Sequence, residues 1–211
     1  MARTAPFERH HGQYDQWFER HRAAYVSELL ALRPFVPVQG RGLEIGVGTA
    51  RFAAPLGVQV GVDPAAPMLT RATARGVRAV AGTAEALPFA SAVFDHALVV
   101  TTICFVDSPE AMLAEASRVL VPGGRLVIGF IDRDSDLGQH YLAHRLESVF
   151  YRDATFHSAS EVDGLLRDGG FEIRAWVQTL FGGSPDIPEI QTVRPGSGTG
   201  AFVVVAADRR T

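Results

Sequence analysis

Leu43-Glu44-Ile45-Gly46-Val47-Gly48-Thr49-Ala50-Arg51-Phe52 decides how this chain is read. It is a short apolar strand running into a glycine loop, with an acid two positions before the first glycine. A second apolar run, Val58-Gln59-Val60-Gly61-Val62-Asp63, ends in another carboxylate. A glycine turn after a parallel strand lets a ligand approach backbone that a side chain would otherwise cover. A carboxylate closing the next strand suits the paired hydroxyls of a ribose. The pattern predicts a nucleotide-like ligand at the carboxyl ends of these strands.

The loop narrows the choice. A dinucleotide fingerprint, Gly-x-Gly-x-x-Gly, needs its last glycine for close packing of helix on sheet; Arg51 stands there. Glu44 would repel a pyrophosphate but suits a ligand with positive charge near the loop, such as the ammonium of a methionine moiety. The stretch resembles the acid-x-Gly-x-Gly-x-Gly motif of class I S-adenosylmethionine-dependent methyltransferases. Ala50 replaces the third glycine, and alanine is expected to be tolerated there in a first helical turn.

Three further blocks carry the resemblance in family order, from about residue 41 to 130. They are Gly82-Thr83-Ala84-Glu85-Ala86-Leu87-Pro88-Phe89, the Phe94-Asp95 opening of a fourth strand, and Glu115 to Leu126 with its Pro122-Gly123-Gly124 turn. Thr83 stands where relatives carry an aspartate that accepts a hydrogen bond from the adenine amino group. A threonine hydroxyl accepts one too, more weakly than a charged oxygen. The resemblance implies a three-layer α/β/α Rossmann-like fold, its seven-stranded, mostly parallel sheet closed by an antiparallel last strand. It implies S-adenosyl-L-methionine as cofactor, held by Glu44, Gly46, Gly48 and Asp63. Pro64 and Met68 would pack on it, Thr83, Ala84 and Glu85 would surround its base, and Thr101 would meet its methionine end.

Composition sets the frame. At 211 residues, 47% hydrophobic and 20% charged, the chain reads as one soluble domain spanning 1–211. A formal charge of −3 and the lack of a basic run give no reason to expect nucleic acid or anionic membrane as partner. The single Cys104 forbids an internal disulfide and fits a reducing compartment. The polar, His-rich start is no signal peptide, and no run is long enough to span a bilayer. The expectation is a cytoplasmic monomer or homodimer.

Apolar residues at three- and four-residue spacing from Tyr14 to Leu32 predict one amphipathic helix. With the residues before it, it forms an N-terminal segment, 1–37. Its aromatic stripe, Tyr14, Trp17 and Phe18, is either core or a cover over the cofactor. Strands then alternate with helices, the arrangement of a parallel sheet covered on both faces. Ser108-Pro109-Glu110 and Ser158-Ala159-Ser160-Glu161 mark helix starts. A helix is expected over Gly138 to Phe150, inside a substrate-side insertion at 132–157. Phe171 to Val177 and Ala201 to Ala207 read as the last two strands, with Arg194 to Gly200 as a loop leading into the second.

The catalytic residue is unknown from sequence. Tyr14, His140, Tyr141 and His144 are acid-base candidates, with Tyr151 and His157 behind them. His140 and His144 share a helix face, but no Glu follows His140 and no third ligand is evident, so no metal is expected. Cys104 reads as a buried thiol and His96 as a packed strand residue. The functional expectation is methyl transfer to a small-molecule acceptor by direct displacement. The alternative is a non-catalytic protein that binds S-adenosylmethionine or S-adenosylhomocysteine as a sensor or partner subunit.

Overall fold

The computed structural model describes residues 4–211. The strands are β1 (Gly42–Ile45), β2 (Val60–Asp63), β3 (Arg78–Ala81), β4 (Phe94–Val100), β5 (Leu120–Ile131), β6 (Phe171–Thr179), β7 (Arg194–Pro195) and β8 (Phe202–Arg209). They form one sheet in the order β3-β2-β1-β4-β5-β8-β6-β7. The first five are parallel, and β8 runs antiparallel to both β5 and β6. The chain winds outward one way from β1 to β3 and the other way from β4 to β5. The β1–β4 boundary is therefore the switch point at which open α/β sheets bind ligands.

The helices are α1 (Ala5–Arg9), α2 (His11–Arg20), α3 (Arg22–Leu32), α4 (Ala53–Leu56), α5 (Ala66–Ala74), α6 (Pro109–Val119), α7 (Asp136–Ala143) and α8 (Ala159–Asp168). Strand alternation divides the core between the two faces. In β4, Leu98 and Val100 join one cluster with Phe18, Leu32 and Phe52 from α2, α3 and the glycine-loop segment. Ala97 and Val99 join the other, with Met112, Leu113 and Ala116 of α6 and Val162 and Leu166 of α8. The Ser108 side chain accepts from the Ala111 N–H, and Ser158 with Glu161 completes a full capping box.

Several expectations are corrected. The sheet has eight strands, not seven, because Arg194–Pro195, expected as loop, pairs with Gln178 and Val177 of β6. The single helix expected over Tyr14–Leu32 is broken at His21, whose backbone sits at φ −105, ψ 44. Its N–H and its Nδ1 both lie 2.9 Å from the Trp17 carbonyl oxygen, which ends α2. The helix expected to run to Phe150 stops at Ala143, followed by a 3-10 turn, Arg145–Glu147. Ala50 lies in no helix: its φ is +62, so it keeps the left-handed backbone of the glycine it replaces. For alanine that conformation costs about 1 kcal/mol. No helix among the described residues is long and apolar enough to cross a membrane.

Candidate active site

The carboxyl ends of β1, β2 and β4 open into a cavity of about 720 Å³. The glycine loop shapes it. Gly46 has φ +73, and a Cβ there would collide with the Thr102 side chain. The N–H of Gly46 and of Val47 both donate to the Val62 carbonyl oxygen, folding the loop back against β2. Asp63 then fastens the loop: its carboxylate accepts from the Gly48 N–H at 2.9 Å and the Ala65 N–H at 2.8 Å. Burial raises the Asp63 pKa, opposed by these two hydrogen bonds.

Of the ten residues expected around the cofactor, nine line this cavity: Gly46, Gly48, Asp63, Pro64, Met68, Thr83, Ala84, Glu85 and Thr101. The structure places Glu44 elsewhere. It is 1% exposed, behind the loop, and its carboxylate accepts from the Ala53 N–H at 2.8 Å. Burial drives its pKa well up, opposed by the hydrogen bond from the Ala53 N–H. Glu44 therefore ties β1 to the start of α4, beneath the loop instead of on its ligand face. The cavity fits S-adenosylmethionine in its chemistry. It offers open glycine backbone, a carboxylate at the end of β2, apolar Met68 and Pro64, and polar Thr83.

A second cavity, about 700 Å³, adjoins the first, and the two share Phe7, Tyr14, Thr101 and Phe105. Its far wall comes from Trp17 and Phe18 of α2, Glu28 of α3, Leu137 and Tyr141 of α7, Phe150 and Tyr151 after it, and Leu180. Thr101 and Leu180 have φ +49 and +59. Left-handed backbone at non-glycine residues gathers at functional sites. Here Thr101 borders both cavities and Leu180 lines the second.

The acid-base candidates separate. Tyr14 lines both cavities and Tyr141 the second. Burial raises both phenol pKa values far above neutrality, with added repulsion from Glu44 and Asp63 at Tyr14 and from Glu28 at Tyr141. Both hydroxyls stay protonated at neutral pH and can donate a hydrogen bond. The rings of His140 and His144 lie 4.4 Å apart, tilted by 34°, on the exposed side of α7 and on neither cavity wall. His157 lies 3.8 Å from Glu161, and burial lowers its pKa. His96 is buried, with neither ring nitrogen hydrogen-bonded among the described residues.

Sequence reasoning missed the group that fastens α2 to the site. Asp15, 7% exposed, accepts from Thr49 Oγ1 at 2.7 Å and Arg51 Nε at 3.0 Å through Oδ1. Through Oδ2 it accepts from Arg71 Nη1 and Arg75 Nη2, both at 2.9 Å. Burial works against the ionised form, but these hydrogen bonds hold the carboxyl down to about 2. Arg51, the residue that breaks the dinucleotide fingerprint, also pairs with Glu19 at 2.7 Å. Within the aromatic stripe, Phe18 is 5% exposed in the core, while Tyr14 lines both cavities.

Two substitutions test the first cavity. Asp63→Ala should weaken S-adenosylhomocysteine binding about tenfold, because the loop loses its fastening and the ligand its charge-assisted partner. Calorimetry showing wild-type affinity would place Asp63 outside the binding determinants. Thr83→Asp should hold or raise affinity, since a charged oxygen is the stronger acceptor for an adenine amino group. A large loss in a folded variant would mean that Thr83 packs against apolar atoms of the ligand.

Comparison with known proteins agrees with this geometry. A methyltransferase-domain family model matches residues 43–128. The crystal structure of a Thermotoga maritima S-adenosylmethionine-dependent methyltransferase, described as a possible histamine N-methyltransferase, superposes with TM-score 0.93 at 49% identity. The match covers 98% of this chain and 99% of that one. An uncharacterised Methanocaldococcus jannaschii protein is 41% identical over 96% of this chain and 98% of its own length. The malonyl-[acyl-carrier protein] O-methyltransferase of Methylococcus capsulatus is 30% identical, over 82% of this chain and 67% of its own.

Proposed function

The chain belongs to the S-adenosylmethionine-dependent methyltransferases, and from that premise we propose that it methylates a small-molecule acceptor bound in the second cavity. The observation that carries this is the shared boundary: Phe7, Tyr14, Thr101 and Phe105 border both cavities. Cofactor in the first cavity and acceptor in the second would meet across Thr101 and Tyr14. The description of the Thermotoga maritima relative as a possible histamine N-methyltransferase supports an acceptor of this size.

S-adenosylmethionine supplies an activated methyl group and its own leaving group, so direct displacement asks little covalent chemistry of the protein. What the chain contributes is alignment and the exclusion of water. The glycine loop and Asp63 would hold the adenosyl end. Tyr14 and Phe105 would bound the passage, and the phenol of Tyr14, kept protonated, would donate a hydrogen bond without competing as a nucleophile. The aromatic second cavity would keep the reacting atoms dry. Residues 132–157, expected as a substrate-side insertion, supply Leu137, Tyr141, Phe150 and Tyr151 to its wall.

The test is to incubate the protein with methyl-labelled S-adenosylmethionine and a small-metabolite fraction. Label should move into a compound of the small-molecule fraction. Label that stays on the cofactor, despite tight S-adenosylhomocysteine binding, would favour a non-catalytic sensor. Label that requires added protein or RNA would overturn the small-molecule reading.

A further inference from the structure

We propose that the second cavity recognises the protonated nitrogen of a small organic amine, and that the Glu28 carboxylate is the group that holds it. This rests on the methyl-transfer reading above and names the chemical class of its acceptor. Glu28 sits on α3 with only 3% of its surface exposed, and it lines the second cavity. Among the described residues its carboxylate has no hydrogen-bond or ion-pair partner, in contrast to Asp15 with its three arginines. Those arginines are committed to Asp15 and Glu19, and no lysine, arginine or histidine shares the cavity wall with Glu28.

A carboxylate buried without a partner is costly, and a bound cation is what would offset it. The remaining wall suits such a ligand. Trp17, Tyr141, Phe150 and Tyr151 surround the cavity with aromatic rings, whose faces attract ammonium groups when water is excluded. An anionic acceptor would meet Glu28 with no compensating positive charge. A neutral, purely apolar one would leave the carboxylate unsatisfied. The chemistry selects a compact apolar or aromatic body bearing one protonated nitrogen.

The experiment is calorimetric titration of the full-length protein saturated with S-adenosylhomocysteine. The probes are 2-phenylethylamine and cyclohexylmethylamine beside their neutral counterparts 2-phenylethanol and cyclohexylmethanol. The amines should bind at least tenfold more tightly than the alcohols. Glu28→Gln should erase that preference while leaving S-adenosylhomocysteine affinity unchanged. Equal binding of amines and alcohols, no binding of either amine, or a Gln variant that keeps the preference would overturn the proposal. Labelled methyl transfer to a neutral or anionic small molecule would overturn it too, yet leave the function proposed above standing. Failure to bind S-adenosylhomocysteine at all would instead strike at that function.

Discussion

Asp15→Ala should destabilise the protein by about 3 kcal/mol, the cost of removing one member of a buried charge network and leaving its partners unpaired. Three guanidinium groups and the Thr49 hydroxyl converge on this carboxylate, from the glycine loop on one side and α5 on the other. Without it Arg51, Arg71 and Arg75 repel one another beside the cofactor loop. The loss should fall on the loop first, so S-adenosylhomocysteine affinity should drop with stability. The pH dependence follows from the depressed pKa. The folded value of about 2 lies below the ordinary 3.8, so the contribution is complete above about pH 4. It is lost as pH falls through 4 towards 2. Urea unfolding at pH 7 and pH 3 should therefore show the gap between wild type and Asp15→Ala narrowing in acid. An unchanged midpoint at pH 7 would mean that the arginines find water or Glu19 an adequate substitute.

Glu28→Gln should do the opposite and stabilise the ligand-free protein by about 2 kcal/mol at pH 8. Burial pushes the Glu28 carboxyl up to about 8 from an ordinary 4.5. A carboxyl whose folded pKa is raised costs nothing below the unfolded value. The cost grows as pH climbs from about 4.5 to 8 and is constant above. The shift corresponds to at most about 5 kcal/mol, and the buried amide of glutamine gives part of that back by leaving its own polar atoms unsatisfied. The nearby phenols Tyr14, Tyr141 and Tyr151 all have raised pKa values, so none titrates in this window. For a chain of this length the gain corresponds to a rise in Tm of about 4–8 °C. Thermal melts from pH 5 to pH 9 should show the variant gaining on wild type as pH rises. A Tm that falls at pH 8 would mean that Glu28 is structurally paired, and the amine site would lose its premise.

The lining of the first cavity was legible in the sequence because its determinants are local. Gly46, Gly48, Asp63 and the Gly82–Glu85 loop each lie at or just past a strand end, and backbone geometry alone brings them to one crevice. The second cavity is not local. Phe7, Glu28, Tyr151 and Leu180 come from four separate segments, and nothing in the neighbourhood of Glu28 separates it from an ordinary helix-surface acid. Asp15 did leave a signal. Arg51 stands where a small residue was expected, Arg71 and Arg75 repeat at helical spacing, and Asp15 and Glu19 share a face of α2. Charge matching between the loop and that helix would have found the network. Glu44 was read for its charge, whereas its burial under the loop makes it a structural acceptor. Ala50 was read by helix propensity, while the loop demands a positive φ that overrides it. Two-residue β7 is too short for any periodicity to show, and its Pro195 argues against a strand.

The most direct test of the joined-cavity arrangement is a crystal structure of the protein with S-adenosylhomocysteine bound. The expected result has the adenosyl group between Asp63 and Thr83 and the sulfur at the passage bounded by Thr101 and Tyr14, directed into the aromatic cavity that contains Glu28. A sulfur directed to bulk solvent, with that cavity closed off from it, would contradict the proposed acceptor site and the function built on it.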